Sequence, residues 1–311
     1  MPLKDEKLKK KIGGVSVVMV TPFKPENYDV DIKGLEENTE FLIKNKVNVL
    51  IPCGSAGEFF SLSMDEHKSV IKTVVEVADG RVPVFAGTGQ SSTKATVELS
   101  RYAEDVGADG VMIMPPYYVL PGEEDIYQHY KSVSKTIKIG IIIYNIPSRT
   151  GVSIRPELMA RLAEIDNVIG VKETSGDFKL FYRMIKLLRD RIEFSAGHGE
   201  IFAPYFLVSG ASGIVSGIAN FAPQFSLGIY NAALENDWTK VREIHFKMEP
   251  LYTFMETLKS KRKGTVYPAI FKESMNMLGL KGGTVRKPLL PLSQEERSEL
   301  KRTLEEIEVL K

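Results

Sequence analysis

The chain has 311 residues, of which 43% are hydrophobic and 26% charged, with a formal net charge of +1. These values are typical of a folded globular protein, and the near-neutral charge argues against nucleic acid or an anionic membrane as a partner. A single cysteine, Cys53, excludes an intrachain disulfide and favours a reducing compartment, so we expect a cytoplasmic protein.

Taken in order, the chain alternates between apolar strand-like runs and amphipathic helical patterns, after a lysine-rich start that we expect to be a solvated lead-in. The first apolar run is too short for a signal peptide or a membrane span. The strands are short and rich in β-branched residues, as in strands covered on both faces. The predicted strands are residues 15–20, 49–52, 82–86, 110–113, 140–144, 169–172, 193–196 and 213–216. The predicted helices between them are residues 32–44, 65–77, 93–106, 123–134, 155–163, 178–189, 201–208 and 223–234.

Eight strand–helix units predict an α/β fold of the (β/α)8, or TIM-barrel, type, because a doubly wound sheet usually has five or six. Past residue 236 the strand signal ends, and residues 238–258, 268–278 and 293–309 are predicted to form three further helices. We therefore divide the chain into a barrel with the active site at residues 1–235 and a C-terminal helical extension at residues 236–311.

Functional residues are expected where the strands end, because the loops at that end of a barrel carry its catalytic groups. The most unusual strand end lies at residues 168–177, where an apolar run contains a lone lysine, Lys172, and stops in a polar loop. A lysine in a buried strand must either reach the surface or serve a function. Other strand ends direct hydroxyl and guanidinium groups to the same mouth: Ser55, Tyr118, Tyr144 and Arg149.

This set of groups is suited to Schiff-base chemistry. A neutral lysine amine attacks a ketone, a proton relay removes water, and the resulting enamine acts as a carbon nucleophile. An ordinary lysine has a pKa of about 10.4, and burial can lower that pKa by about 3 to 5 units. Hydroxyl groups transfer protons without adding charge, and an arginine at the rim pairs bidentately with a substrate carboxylate. The sequence thus predicts a covalent intermediate on Lys172 without a separate cofactor.

Three motifs carry a resemblance to a known family. GSAGE at residues 54–58, YNIPSRTG at residues 144–151 and GVKETSGD at residues 170–177 resemble signatures of the dihydrodipicolinate synthase / N-acetylneuraminate lyase superfamily. The likeness runs from about residue 14 to the C-terminus and is closest to dihydrodipicolinate synthase. It implies a (β/α)8 barrel with a helical extension, usually assembled as a homotetramer, and pyruvate bound as a Schiff base.

The resemblance also implies roles for individual positions. Lys172 resembles the Schiff-base lysine, and Tyr144 the tyrosine that relays protons as general acid and base. Ser55 corresponds to the hydroxyl between that tyrosine and the substrate carboxylate, and Tyr118 to a tyrosine that enters a neighbouring subunit's site. No metal ligand is implied. The substrate-binding positions that the resemblance implies are Arg149, Ala56, Gly197, Val215, Thr174 and Glu200.

The motifs point to more than one second substrate. Arg149 resembles the arginine that binds the carboxylate of aspartate semialdehyde, which favours its condensation with pyruvate to 4-hydroxy-tetrahydrodipicolinate. Synthases usually read GTTGE, however, and Ala56 lacks the second hydroxyl, which helps hold the carboxylate of pyruvate. The EIFA stretch at residues 200–203 resembles the lyase branch, and GEFFSL at residues 57–62 resembles ketodeoxyglucarate dehydratases. A 2-keto-3-deoxy sugar-acid aldolase or dehydratase, or an N-acetylneuraminate lyase-like aldolase, is therefore the alternative.

Some of these residues also have structural interpretations. Only one of the four histidines, His198, follows a strand, so a metal-dependent aldolase would lack ligands, and we interpret His198 as a loop residue near the substrate's tail. Glu58 is interpreted as a helix cap or as a group behind the substrate contacts. The glycines of residues 210–220 are interpreted as allowing close backbone approach to the substrate. A non-catalytic, ligand-sensing barrel would have lost the lysine or both tyrosines, and all are present.

Overall fold

Eight parallel strands form the centre of the computed structural model, which describes residues 12–311. Hydrogen-bonded neighbours follow the order β2-β1-β8-β7-β6-β5-β4-β3. The predicted α/β barrel is confirmed, and the predicted strands differ from the observed ones by a few residues at their ends. The strands are β1 (Gly14–Val18), β2 (Val49–Ile51), β3 (Phe85–Gly87), β4 (Gly110–Ile113), β5 (Gly140–Asn145), β6 (Val168–Glu173), β7 (Glu193–Ala196) and β8 (Gly213–Ser216).

The barrel closes between β2 and β3 through a short connection rather than a full ladder. Leu50 forms a parallel bridge with Val84, and the amide of Leu50 donates to the carbonyl of Pro83 at 2.9 Å. Further along, the amide of Gly87 donates to the carbonyl of Pro52 at 2.9 Å. Because proline has no amide hydrogen, Pro83 cannot extend the ladder, and β3 begins later than the sequence predicted.

Helices follow the strands and cover the outside of the barrel. Their starts are fixed by side chains that accept the free amides of the first turn. Asp31 accepts from the amide of Gly34 at 3.0 Å, and Ser63 and Glu66 form a reciprocal capping box. The helices are α1 (Ile32–Lys44), α2 (Met64–Ala78), α3 (Thr93–Asp105), α4 (Glu123–Ser134), α5 (Pro147–Thr150), α6 (Pro156–Leu162), α7 (Phe178–Leu188), α8 (Ala203–Val208) and α9 (Pro223–Leu234).

Residues 236–311, all within the described part of the chain, form four helices, where the sequence predicted three. The prediction of one helix over residues 238–258 is wrong, because the helix ends before Met248 and a new helix begins after it, with Pro250 in its first turn. A proline inside a continuous helix would remove a hydrogen bond and clash with the preceding turn, whereas the first turn tolerates it. The four helices are α10 (Trp238–Lys247), α11 (Glu249–Arg262), α12 (Tyr267–Met277) and α13 (Gln294–Glu306).

The start of α12 packs against the end of the barrel where the strands finish. A Cβ on Gly217, just after β8, would lie 2.3 Å from the ring of Phe271 in α12, so this packing requires a glycine. Beyond α12, the amide of Thr284 donates to the carbonyl of Phe23, which follows β1, at 3.0 Å. The division of the chain at residue 235 stays a prediction. Over residues 12–311 no helix has the length and apolar character that a membrane crossing requires.

Candidate active site

Lys172 lies inside the barrel, near the carboxyl end of β6. The sheet register places it beside Tyr144 of β5 and Ser195 of β7, so these three side chains share one face. The Nζ atom lies 3.8 Å from the centroid of the Tyr144 ring, and only 4% of Lys172 is exposed. The next residue, Glu173, faces the other side of the strand, where its carboxylate accepts a hydrogen bond from Asn145 at 2.7 Å. The adjacent acid is therefore directed away from the amine.

The Lys172 amine is poised between its charged and neutral forms. Burial lowers the pKa of Lys172 from 10.5 to about 7. None of the ion pairs within residues 12–311 involves Lys172, so no carboxylate restores the charged form. About half of such amines are neutral at pH 7, against roughly one in a few thousand for a lysine in water. The buried strand therefore supplies a nucleophile.

Tyr144 and Ser55 place hydroxyl groups beside this amine. Ser55 begins a turn of 3₁₀ helix, Ser55–Gly57, that follows β2. Burial raises the pKa of Tyr144 to about 12, and a hydrogen bond with Ser55 and the charge of Arg149 counteract that rise. A phenol with this pKa is protonated at neutral pH, so it can donate a proton to a developing oxyanion and then recover one. The structure brings the two predicted relay residues together, and their catalytic roles stay predictions.

A third hydroxyl group reaches the same place from the C-terminal helices. Tyr267 is the first residue of α12, and its hydroxyl interacts with that of Ser55. Burial, and then the proximity of Tyr144, raise the pKa of Tyr267 to about 12. Tyr267 is not among the predicted site residues, because it follows no strand. Its only local signal is the helix start that Pro268 marks, and that signal says nothing about the barrel mouth.

Arg149 lies at the rim of the mouth, on the short helix α5 that follows β5. Its side chain is exposed, and its charge acts on both Tyr144 and Tyr267, opposing the rise in pKa that burial causes in each. No described carboxylate forms an ion pair with Arg149. The guanidinium is thus available to a carboxylate that arrives with a ligand.

Four further predicted substrate positions lie on or just after the strands of the barrel. A Cβ on Gly197 would lie 1.9 Å from Oγ1 of Thr174, so the missing side chain allows the loops after β6 and β7 to meet. Ala56 lies in the turn after β2 and Val215 in β8, and both are buried. Their contacts with substrate stay predictions.

Glu200, also predicted to bind substrate, is held by hydroxyl groups of the protein. Its Oε1 accepts hydrogen bonds from Ser216 of β8, at 2.5 Å, and from Ser226 of α9. The residue is buried, and burial raises the pKa of its carboxyl, while the two serine hydroxyls counteract the rise. The carboxylate therefore lies between β8 and α9, and a bond to substrate would compete with these contacts. The substrate-binding role of Glu200 stays a prediction.

Tyr118 points out of its own chain rather than into its own site. It is 93% exposed and has φ of +78°, a backbone conformation that is strained for a tyrosine. Val119 and Leu120 beside it are exposed too. Tyr117 instead turns inward, with its ring centroid 6.3 Å from that of Phe59 in an edge-to-face arrangement. The predicted contribution of Tyr118 to a neighbouring site remains a prediction.

A buried ion pair holds the turn after β2 from behind. Glu58 is fully buried, and its Oε1 lies 2.5 Å from Nζ of Lys272 in α12. Its Oε2 accepts from the backbone amide of Arg286 at 3.0 Å. Lys272 also lies 4.1 Å from the centroid of the Phe23 ring. Burial lowers the pKa of Lys272 to about 8, and Glu58 counteracts that fall. We refer to Glu58, Lys272, Arg286 and Phe23 as the Glu58 cluster.

The histidines do not gather at the mouth. No group of three or more histidine, cysteine or acidic residues within the described range is arranged to hold a metal ion. His198, the one histidine after a strand, packs against Phe202 with ring centroids 4.9 Å apart. His67 of α2 is buried, with Nε2 2.7 Å from the carbonyl oxygen of Gly87, the last residue of β3.

Comparison with known proteins points in one direction. The model of the Dihydrodipicolinate synthetase family matches residues 11–307. The chain is 38% identical over 294 residues to a 4-hydroxy-tetrahydrodipicolinate synthase of Methanothrix thermoacetophila, covering 94% of this chain and 95% of that one. Dihydrodipicolinate synthase from Aquifex aeolicus superposes with a TM-score of 0.89 at 33% identity, over 96% and 98% of the two chains. The chloride-inhibited dihydrodipicolinate synthase from Acinetobacter baumannii, complexed with pyruvate, superposes with a TM-score of 0.88 at 32% identity, over 96% and 100%.

Proposed function

This chain belongs to the dihydrodipicolinate synthetase family, and we propose that it is a class I, Schiff-base lyase that condenses pyruvate with aspartate semialdehyde to 4-hydroxy-tetrahydrodipicolinate. One observation carries the proposal: Lys172 is a buried amine with a pKa of about 7, in contact with Tyr144 and without an ion-pair partner among residues 12–311. Such an amine is a nucleophile at neutral pH. The proposed reaction uses no cofactor, because the covalent bond to lysine itself activates pyruvate.

The first half of the reaction forms an imine. The neutral nitrogen of Lys172 attacks the carbonyl carbon of pyruvate, and a proton passes from that nitrogen to the carbonyl oxygen. One further proton, delivered by Tyr144, releases this oxygen as water and leaves a positively charged iminium. Tyr144 is suited to this step because it is protonated at neutral pH and lies against the amine.

The second half forms the carbon–carbon bond. Loss of a proton from the methyl group of bound pyruvate converts the iminium into an enamine, whose carbon attacks the aldehyde carbon while the aldehyde oxygen takes up a proton. The amino group of the aldehyde substrate then attacks the imine carbon, closes the ring and displaces Lys172. Arg149 binds the carboxylate of the aldehyde substrate, since its guanidinium is exposed at the rim and unpaired within the described residues.

Borohydride trapping tests this proposal. Reduction of the imine in the presence of pyruvate should add one pyruvate-derived mass to the peptide that contains Lys172. The Lys172→Ala variant should gain no mass, and Lys272, which is also buried, serves as an internal control that stays unlabelled. Label on another lysine, or none on the wild type, would contradict the mechanism. Turnover of aspartate semialdehyde should then be compared with that of sugar aldehydes and keto-deoxy acids.

The second candidate is an aldolase or dehydratase that acts on a 2-keto-3-deoxy sugar acid, or an aldolase like N-acetylneuraminate lyase. The observation that favours it is Ala56, which places a methyl group where synthases usually carry a hydroxyl near the carboxylate of pyruvate. Both candidates use the same imine on Lys172. They differ in the partner of the enamine, so the aldehyde comparison separates them.

We further propose a homotetramer in the cytoplasm, with the active site in residues 1–235. Closed tetramers with two kinds of two-fold interface need two self-complementary patches on each chain. Two exposed apolar patches are available: one at Tyr118, Val119 and Leu120, the other at Tyr182, Tyr205 and Val208. Cys53 is buried and unbonded, which suits a reducing compartment. Sedimentation velocity of the wild type against Tyr182→Asp and Leu120→Asp variants tests both interfaces.

A further inference from the structure

The residue that leads beyond the proposed function is Tyr267. It belongs to the C-terminal helices, yet the packing of α12 fixes it at the barrel mouth. Its ring lies 5.8 Å from that of Phe271, and Phe271 fills the space that Gly217 leaves open after β8. The Glu58 cluster ties the same helix to the 54–58 turn, because Lys272 lies 2.5 Å from Glu58. Tyr267 and Ser55 are therefore held on two elements that share a buried ion pair.

Three hydroxyl groups meet at this position. The hydroxyls of Tyr144 and Tyr267 both interact with that of Ser55, and the charge of Arg149 acts on both tyrosines. A serine hydroxyl has one donor hydrogen and two acceptor lone pairs, so it can receive a proton from one neighbour while passing its own to the other. The fold thus brings the hydroxyls of Tyr144, Ser55 and Tyr267 next to one another within a single polypeptide.

We propose that Tyr267 is a positioning and relay residue of the same active site, which resupplies Tyr144 with protons through Ser55 from within one chain. The inference rests on the proposed function. When Tyr144 gives its proton to the departing oxygen of pyruvate, Ser55 passes its own to Tyr144, Tyr267 passes its own to Ser55, and water reprotonates Tyr267. The reverse transfers carry away the proton released when the enamine forms, so the relay ends unchanged.

This arrangement bears on the predicted role of Tyr118. A tyrosine from a neighbouring subunit is not the only route by which the Ser55 hydroxyl can exchange protons, because Tyr267 already contacts it from the same chain. Tyr118 is 93% exposed in the single chain and is separate from the three hydroxyls of Tyr144, Ser55 and Tyr267. The two tyrosines can be distinguished by whether their loss is complemented by another subunit.

The first test removes only the hydroxyl, with Tyr267→Phe. We expect kcat to fall about 10- to 100-fold with less than about a threefold change in KM for pyruvate. The solvent deuterium isotope effect on kcat should rise, because proton resupply becomes slower. The matched control is Tyr252→Phe, which removes a buried hydroxyl, bound to Sδ of Met248, from the neighbouring helix α11. This control should leave kcat and the isotope effect unchanged.

A second variant separates relay from support of the fold. Difluorotyrosine at position 267 keeps the ring and the hydroxyl but makes the phenol more acidic, so it should move the alkaline limb of kcat to lower pH. A purely structural role would leave that limb in place. Unchanged kcat and isotope effect in Tyr267→Phe, or an unmoved alkaline limb in the fluorinated protein, would overturn the inference.

Subunit mixing tests whether Tyr267 acts within its own chain. Mixing Tyr267→Phe with Lys172→Ala subunits should give no more activity than the Tyr267→Phe subunits show alone, because every site in the mixture lacks one of the two groups. Restoration to the level of a Tyr118→Phe and Lys172→Ala mixture would show action between chains and would overturn the inference. Failure of the proposed function has a different signature: wild-type protein would then form no borohydride-stable adduct with pyruvate at all.

Discussion

Two lysines are buried among residues 12–311, and they differ in what surrounds them. Lys172 on β6 is 4% exposed and has no described ion-pair partner, and burial lowers its pKa to about 7. Lys272 on α12 is 1% exposed, lies 2.5 Å from Glu58, and has a pKa lowered by burial to about 8. A carboxylate provides the second lysine with a partner for its charged form, and the first has none. The unpaired lysine is suited to react, and the paired one to hold structure.

The arginines repeat the same contrast. Arg149 at the barrel mouth is exposed and has no carboxylate partner among residues 12–311. Arg286 in the Glu58 cluster binds Glu66 through both terminal nitrogens and donates to the backbone of Tyr28. One region of the molecule thus leaves its cations without anions, and the other pairs them. We infer that the anions missing from the mouth are those of the substrates.

The largest effect is expected for Lys172→Met, which removes the unpaired amine and should lower activity by at least about 10⁴-fold. The same substitution should also change how the stability of the fold depends on pH. Because the pKa of Lys172 is lower in the folded state, the unfolded chain binds more protons between pH 7 and 10.5, so this group makes the wild type more stable as pH rises through that range. Urea unfolding should show that the free energy of unfolding rises less between pH 7 and pH 9.5 in Lys172→Met than in the wild type. An equal rise would mean that the amine is charged when folded.

Lys272→Met should mainly cost stability. Removing the lysine leaves the buried Glu58 carboxyl without its ion-pair partner, which costs about 3–5 kcal/mol. The double variant Glu58→Gln with Lys272→Met should recover part of this loss, because no unpaired charge then stays buried. Urea unfolding of the four proteins in a double-mutant cycle measures the coupling. Additive effects of the two substitutions would contradict a direct ion pair.

Arg149→Ala should lower kcat/KM for an aldehyde that carries a carboxylate, with a loss of transition-state stabilisation of about 2–4 kcal/mol. Pyruvate should still form the imine. Arg155→Ala is a matched control, since Arg155 is an exposed arginine just before α6, further along the same loop, and its side chain makes no capping hydrogen bond. Steady-state kinetics with aspartate semialdehyde, alongside borohydride trapping, separate the two steps. An unchanged specificity constant would remove Arg149 from substrate recognition and favour a sugar aldehyde.

The smallest expected effect concerns the paired arginine. A hydrogen bond with Arg286 lowers the pKa of Glu66 from 4.5 to about 2, so the folded state keeps this carboxyl ionised where the unfolded chain would protonate it. Its stabilising contribution is therefore present above about pH 4.5 and is lost as the pH falls toward 2. Glu66→Gln should lower stability at pH 7 by about 1–2 kcal/mol and flatten the acid side of the profile. Unfolding midpoints from pH 2.5 to 7 test this, with the exposed Glu76→Gln as control.

The barrel and its central residues could be predicted because their signals are local. Strand burial appears as short apolar runs, and a lysine inside such a run, as at residue 172, is conspicuous in sequence. Parallel strands bring their ends together whatever the chain between them, so Ser55, Tyr144 and Lys172 could be placed at one mouth. The break at Met248 was missed, although Pro250 gave a signal, because the amphipathic pattern continues across it.

Tyr267 and the pairing of Glu58 with Lys272 could not be predicted in the same way. Each depends on where the C-terminal helices pack, and no repeating pattern records that choice. Pro268 marks only the start of α12, and a lysine in a helix is ordinarily a solvated residue. Glu200 illustrates a related limit, because its motif was visible, whereas its hydrogen bonds to Ser216 and Ser226 depend on the packing of α9.

The Glu58–Lys272 pair can form only late in the synthesis of the protein. Its two halves are separated by roughly two hundred residues, which a ribosome adding about 5–20 residues per second needs about 10–40 s to synthesise. During that interval Glu58 has left the ribosome, but Lys272 and Tyr267 do not yet exist. Most of the strands can form in this time, while the turn that carries Ser55 still lacks the ion pair with Lys272. If Tyr267 relays protons as proposed, a nascent or C-terminally truncated chain would hold a reactive lysine without a completed relay, so full activity is expected only when synthesis is nearly finished.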